Sequence, residues 1–252
     1  MAACETELRR NSLDSDAVTS VVITQSNYVP WRGWYSMVRS ADVLVYLDDV
    51  QYTRRDWRNR NLIGGFERPR WLTIPLRNSG NYHSRIHEMK VSEPAWWRSH
   101  LGILDETYKS QAHYQAMRID IHHQFQALDA IDSLSEINRR LNDWVFSVLD
   151  ISIKIHDSRE FSSSESKTSR LVDICKTLGA NEYVSGPAAR VYLDESQFRR
   201  NNLDVRWVDY QELYPLRGSA MFHQELSILH TLAMGSRGDA IRLSTFRTHT
   251  DE

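Results

Sequence analysis

Val21-Val22-Ile23-Thr24-Gln25-Ser26-Asn27-Tyr28-Val29-Pro30, followed shortly by Val43-Leu44-Val45-Tyr46-Leu47-Asp48-Asp49, decides the fold. Each stretch is a short continuous apolar run, rich in β-branched residues, that breaks into polar residues, as a buried strand does where it enters a loop. Between them Trp34, Met37 and Val38 recur at helical spacing. A continuous apolar strand needs cover on both faces, and a helix joining two such strands is the crossover of a parallel pair, which is right-handed in almost all known cases. In open sheets of this kind ligands sit beyond the carboxyl ends of the strands. Both polar clusters, Gln25 to Pro30 and Asp48 to Asn61, therefore fall where a ligand is expected.

Outward from this unit, Trp71-Leu72-Thr73-Ile74-Pro75 predicts a strand ended by its proline, in a stretch to Lys90 that suits a hairpin. Ala95 to Leu149 reads mainly as helix, with Leu101, Leu104 and Tyr108 on one segment and Ile137, Leu141, Trp144, Val145 and Val148 on another. Ile151 to Ile155 alternates as a strand, Ser162-Ser163-Ser164 is a loop, and Lys167 to Leu178 is a helix stopped by Gly179. Tyr183-Val184 leads into the turn Ser185-Gly186-Pro187; Val205 to Val208 and the apolar helix Leu226 to Met234 complete the pattern. The fold class expected is α/β: an open, mostly parallel, Rossmann-like sheet with helices on both faces and a largely helical insertion. Residues 1–18 read as a flexible N-terminal extension, 19–244 as a single α/β domain and 245–252 as a flexible tail.

The 252-residue chain is 41% apolar and 25% charged, ordinary globular proportions. A net charge of -2 supplies no general basic field, so nucleic acid is not an expected partner. Two cysteines, Cys4 and Cys175, make neither a disulfide framework nor a cysteine zinc site, and no apolar run is long enough to span a membrane. A cytoplasmic location is the expectation. Ten histidines include His83 and His87, four apart, and the adjacent His122-His123, without a third ligand at a recognised spacing, so no metal is expected. No P-loop, Gly-x-Gly-x-x-Gly or Gly-x-Ser-x-Gly motif occurs. Cys175 lies on an apolar helical face and reads as packing.

The densest polar constellation runs from Asp48 to Asn61. Arg58 and Arg60 offer forks for a phosphate or carboxylate, and Tyr52 or Trp57 a flat face for a base or sugar ring. The alternative is a solvated loop whose arginines pair with Asp48, Asp49 and Asp56. Asp48 and Asp49 leave their strand side by side and should point to opposite sides, so one acid or base enters the cleft, or both only cap a turn. Gln25 and Asn27 share a face if the chain stays extended; their amides can orient a carbonyl or simply tie down the loop. The candidate catalytic residues are Asp49, Asp48, Gln25 and Asn27. The candidate substrate-binding residues are Tyr28, Trp34, Gln51, Tyr52, Arg58, Asn59, Arg60, Ser185 and Gly186.

At these residues the chain resembles the WbqC-like protein family of bacterial O-antigen and polysaccharide biosynthesis. The resemblance is carried by Gln25 to Trp31, by Ala41-Asp42 leading to Leu47-Asp48-Asp49-Val50-Gln51-Tyr52, by Trp57-Arg58-Asn59-Arg60-Asn61, by Trp71 to Pro75, and later by Tyr183 to Pro187, Tyr192-Leu193 and Leu226 to Leu232. Ser26 to Val29 depart from the family's more usual Pro-Tyr-Phe-Phe. The resemblance implies transfer of a glycyl or other acyl group to a nucleotide-linked amino sugar. In the leading reading of these residues Asp49 or Asp48 accepts a proton from the sugar amine, Gln25 and Asn27 orient the acyl carbonyl, and Arg58 and Arg60 hold phosphates. It assigns no cofactor and no oligomeric state. The strand, Pro-containing loop and helix are also similar in architecture to nucleotidyltransferases and pantothenate synthetase-like ligases, but Trp31-Arg32-Gly33-Trp34 stands where those enzymes carry His-x-Gly-His. An adenylyltransferase or ligase, and a non-enzymatic nucleotide-sugar binding protein, are the two alternatives.

Overall fold

In chain order the elements are β1 (Ser20–Thr24), α1 (Arg32–Arg39), β2 (Val43–Tyr46), β3 (Arg60–Ile63), β4 (Arg70–Thr73), α2 (Trp97–Tyr108), α3 (Ala112–Gln126), α4 (Leu134–Val148), β5 (Lys154–Asp157), α5 (Lys167–Thr177), β6 (Glu182–Ser185), α6 (Glu195–Arg200), β7 (Asp204–Trp207), α7 (Ile228–Met234) and α8 (Arg237–Leu243). The computed structural model describes residues 19–64, 69–77, 83–162, 167–214 and 226–247. The N-terminal extension expected over residues 1–18, Ser163 and Ser164 of the serine loop, and residues 248–252 of the expected tail lie outside them.

Five strands form one sheet in the order β5-β2-β1-β6-β7, every neighbouring pair parallel. β3 and β4 make a separate antiparallel hairpin. The sheet is open, and the three helices α2 to α4 form the helical insertion between the hairpin and β5.

Alternation along the strands sends their apolar side chains into two cores. Val22, Leu44 and Tyr46 face the larger one, with Trp34, Tyr35 and Val38 of α1 and Leu141 and Val145 of α4. Val21, Ile23, Val43 and Val45 face the other, with Leu171, Ile174 and Cys175 of α5 and Phe198 of α6. Cys175 is packing: burial pushes its thiol up to about 12.

Boundaries depart from the sequence reading by a residue or two at β4 (Arg70–Thr73) and α7 (Ile228–Met234), and most at β5. The strand expected over Ile151 to Ile155 begins at Lys154, because its register is set by β2, with Val43 opposite Lys154. Before it, Asp150 is left-handed (φ 53) and the Ile151 amide donates to Phe146, so these residues end α4 and cannot extend the strand. At the far end, Phe246 bridges to Leu213 and the Arg247 amide donates to Glu212, tying residues 246 and 247 of the expected tail to the domain.

Candidate functional site

All five carboxyl ends of a parallel sheet lie on one edge, and the strand order reverses between β1 and β6: the chain steps from β1 to β2 and β5 on one side, then to β6 and β7 on the other. A crevice at such a reversal is where open α/β sheets take ligands. The segments that frame it are Gln25-Ser26-Asn27 after β1 and Gly186-Pro187 after β6.

The loop after β1 is fixed by partners from distant parts of the chain. The Ser26 amide donates to Asp48 Oδ1 at 2.8 Å, and Asn138 Nδ2 on α4 donates to the Ser26 carbonyl at 3.4 Å and to the Arg58 carbonyl at 2.9 Å. The Tyr28 amide donates to the Trp57 carbonyl at 3.0 Å, and Asn61 Nδ2 donates to the carbonyls of Tyr28 and Val29 at 3.1 and 3.0 Å. The amide-bearing loop and the arginine segment are therefore adjoining walls. Val29 adopts a left-handed φ of 38 in this loop. A β-branched residue rarely tolerates that conformation, and it persists here because its carbonyl is held by Asn61 and by Ser227 Oγ at 2.7 Å.

Asp48 and Asp49 diverge as strand alternation requires. Asp48, 0% exposed, turns toward α4, where its carboxylate accepts from Ser135 Oγ and from Arg139 Nη2 at 3.1 Å and Nε at 3.3 Å. Asp49 turns toward α5 and accepts from Ser158 Oγ at 2.5 Å and from Arg170. Burial pushes the Asp49 carboxyl up, but the bonds from Ser158 and Arg170 outweigh it and hold the group below the usual carboxylate range. Asp157, at the end of β5, accepts from Arg139 at 2.6 Å and Arg159 at 2.8 Å. Burial opposes its ionisation too, yet Arg159 and Arg139 keep it well below its ordinary range. Three acids and three arginines thus close the β2–β5 corner as a lattice of charge-assisted bonds.

The crevice side differs. Gln25 is half-buried, and Asn27 Oδ1 is buried without a donor. Arg58 has a side chain only 15% exposed, one carboxylate partner (Asp56 Oδ2, 3.4 Å) and a buried Nε without an acceptor. Burial lowers its guanidinium pKa, opposed by Asp56, Asp48, Tyr192 and Tyr52.

The remaining candidates divide between core, hairpin and crevice. Tyr28, 0% exposed, gives its hydroxyl proton to His100 Nδ1 at 2.7 Å, and Trp34 stacks on Phe146; both are core residues. Tyr52 donates its hydroxyl proton to Asn59 Oδ1 at 2.9 Å, and Asn59 Nδ2 donates to the Ile74 carbonyl at 2.9 Å, so the pair fastens the hairpin. Gln51 is exposed and bridges to Arg85. Arg60 lies on the hairpin's outer face, 4.1 Å over the Trp71 ring. Ser185 is buried at the end of β6 and Gly186 follows it. A Cβ on Gly186 would lie 3.0 Å from the Tyr210 hydroxyl, so glycine lets that ring close in.

Comparison with protein families matches residues 25–240 to the WbqC-like protein family. The chain belongs to that family. It is 37% identical over 190 residues to an uncharacterised protein of Mycobacterium tuberculosis, covering 75% of this chain and 82% of the relative. No solved structure matches. Among the described residues no helix is long and apolar enough to cross a membrane, and no group of three or more His, Cys, Asp or Glu is placed to hold a metal.

The site of this WbqC-like chain contains residues the sequence did not single out: Ser135, Asn138, Arg139, Ser158 and Arg170. Each is a polar residue on a helix or turn whose partner is distant in the chain, 80 positions away for Asn138 with Arg58, 91 for Arg139 with Asp48 and 121 for Arg170 with Asp49. One signal was available: Asn138 and Asn142 stand at i and i+4 on the otherwise apolar face of α4, a buried polar stripe that needs partners. His87 is tied to the same corner, its Nδ1 donating to the Asp48 carbonyl at 2.9 Å.

Proposed function

We propose that the protein is a transferase that moves a glycyl or other acyl group from an activated donor onto the amine of a nucleotide-linked amino sugar in surface polysaccharide synthesis. Family membership supports the setting. The observation that carries the reading is Arg58, a nearly sunken guanidinium with one long ion pair and an open Nε, anchored through its own carbonyl beside the β1–β6 crevice. Such a cation is under-neutralised, and a phosphate oxygen is its natural complement.

In this reading Arg58 binds the phosphates, with Arg60 two residues along the chain. The Gln25 amide orients the acyl carbonyl, and the donor-less Asn27 Oδ1 receives an N–H of the incoming amine. The amine nitrogen attacks the acyl carbon, the bond from that carbon to the donor's leaving group breaks, and the departing group takes the proton the amine loses. Asp49 and Asp48, engaged by Arg170 and Arg139, act by holding the loops rather than as bases. Ser185 and Gly186 form the far wall, while Tyr28, Trp34, Tyr52, Asn59 and Gln51 support the near one.

Incubation with nucleotide-linked amino sugars and activated glycine donors, read by mass spectrometry, tests the proposal. A glycyl adduct on the sugar is expected. Arg58→Gln, which removes charge-assisted bonds of about 1.5–3 kcal/mol, is expected to raise the sugar's KM roughly 10- to 100-fold. Absence of an adduct with every donor overturns the transferase reading; magnesium-dependent pyrophosphate release points to adenylyl transfer, and saturable binding without turnover to a binding protein.

A further inference from the structure

Along β3 the side chains alternate: Asn61 and Ile63 are buried, as is Asn59 just before the strand, while Arg60 and Leu62 lie on the outer face. Across the hairpin Trp71 pairs with Leu62 and stands on the same outer face, 43% exposed. It is the most open of the eight tryptophans; Trp34, Trp96, Trp97 and Trp144 are all buried. Its neighbours are flat as well. Trp57 lies beside it with ring centroids 5.8 Å apart and planes 32° apart, and the Arg60 guanidinium sits 4.1 Å over its ring.

Arg60 does not point there by default. Its Nη2 donates to the Arg55 carbonyl at 2.6 Å, and Arg55 is held left-handed at φ 58 in the turn that makes this contact. Arg60 Nε is buried without an acceptor. An aromatic exposed only to satisfy strand propensity needs no such bracing.

We propose that Trp57, Trp71 and Arg60 form a stacking surface for the base of a nucleotide, with its phosphates directed toward Arg58, two residues before Arg60 in the chain. This deepens the proposed function and stands on the anion site assigned there. The 5.8 Å between the two indoles is too narrow for a ring to slide between them, so the base lies on the open part of Trp71 and the guanidinium plane. Charge favours a nucleotide over a neutral sugar. Residues 54 to 60 carry four arginines against the single acid Asp56, in a chain whose net charge is -2. Base stacking on an aromatic face tolerates every base, since each has a π-face, so the surface recognises the class and leaves base identity to other contacts.

The test is titration calorimetry of the full chain with UDP, dTDP, GDP and ADP, each compared with inorganic pyrophosphate. At least one nucleoside diphosphate is expected to bind about tenfold or more tightly than pyrophosphate. Trp71→Leu keeps an apolar side chain on the hairpin but no ring, and is expected to abolish that preference while leaving pyrophosphate affinity within twofold. Arg60→Lys, which keeps the charge and removes the flat guanidinium, serves where Trp71→Leu fails to fold and is expected to reduce the preference several-fold. Arg58→Gln is expected to weaken all five ligands alike. A wild-type chain that binds pyrophosphate as tightly as every nucleotide, or variants that retain the preference, overturns the stacking surface and leaves the anion site standing. Failure of all five ligands to bind overturns both.

Discussion

Asp48→Asn is the substitution that best separates a structural strut from a catalytic acid. The wild-type carboxylate is fully buried, with Oδ1 on the Ser26 amide at 2.8 Å and Oδ2 shared by Ser135 and Arg139. Asparagine preserves the first contact and turns an NH2 group against the Arg139 guanidinium, so two donors oppose each other. Breaking a buried ion pair costs roughly 3–5 kcal/mol. Arg139 keeps Asp157 at 2.6 Å and is 23% exposed, so water recovers part of the loss. The expected destabilisation is therefore about 2–4 kcal/mol, a large share of the usual stability of a domain. Urea unfolding followed by tryptophan fluorescence measures it as a fall in midpoint at constant slope. Asp49→Asn, with one arginine and one serine at a less buried carboxylate, should cost less. An Asp48→Asn chain within about 0.5 kcal/mol of wild type, or one less damaged than Asp49→Asn, refutes the assignment of Asp48 as the strut between β2, the β1 loop and α4.

Two further outcomes follow from the core. His100 and His230 are buried against Tyr28 and Tyr108, and burial lowers both to about 4 from the ordinary 6.5. The unfolded chain thus takes up their protons first as pH falls: stability is full above about pH 6.5 and declines toward pH 4 by about 1.4 kcal/mol per pH unit for each histidine. Urea midpoints that stay level from pH 7 to pH 5 would contradict this; Asp49 and Asp157, with lowered pKa values, contribute only at still lower pH. Gly33→Ala would place a Cβ 2.1 Å from the Trp31 ring, which is itself packed on Tyr210 at 4.7 Å, so the ring must move. Overpacking of this kind costs about 1–3 kcal/mol, and a thermal melt unchanged by the substitution would show that Trp31 relocates freely.

Much of the fold is legible in the sequence because its core strands are sandwiched between helices. Val21 to Ile23 and Val43 to Leu47 read as strands since both faces are buried, and α5 ends where Gly179 supplies a φ of 67. The start of β5 was not legible, because pairing with β2 sets its first residue and the three residues before it alternate just as well. The site is half legible for a related reason. That Asp48 and Asp49 part company follows from strand period alone. What they meet does not, since Arg139 and Arg170 lie on helices whose placement depends on the whole fold. Tyr28 and Trp34 show the opposite failure. Aromatic residues beside a polar loop read as ligand contacts, yet both carry core packing, and the polar end of Tyr28 is answered by His100 from a different element.

Taken with these partners, the carboxyl edge of the sheet has two unequal corners. At the β2–β5 corner Asp48, Asp49 and Asp157 each meet an arginine, and those bonds hold loops in place. At the β1–β6 corner Asn27 Oδ1 and Arg58 Nε are buried without partners among the described residues, and Gln25 is half-buried beside them in the chain. A buried polar atom left without a partner costs about 1–3 kcal/mol, so a fold retains several together only where something other than the chain answers them. Other such atoms occur elsewhere, among them Arg39 Nε, the Tyr46 hydroxyl, Ser244 Oγ and, at the β2–β5 corner, Arg170 Nε, and one orphan atom marks nothing by itself. The β1–β6 corner differs in that its orphan groups are an acceptor and a cation beside a half-buried amide, at the reversal of strand order. Substitutions there should register first in ligand affinity, and substitutions at the β2–β5 corner first in stability.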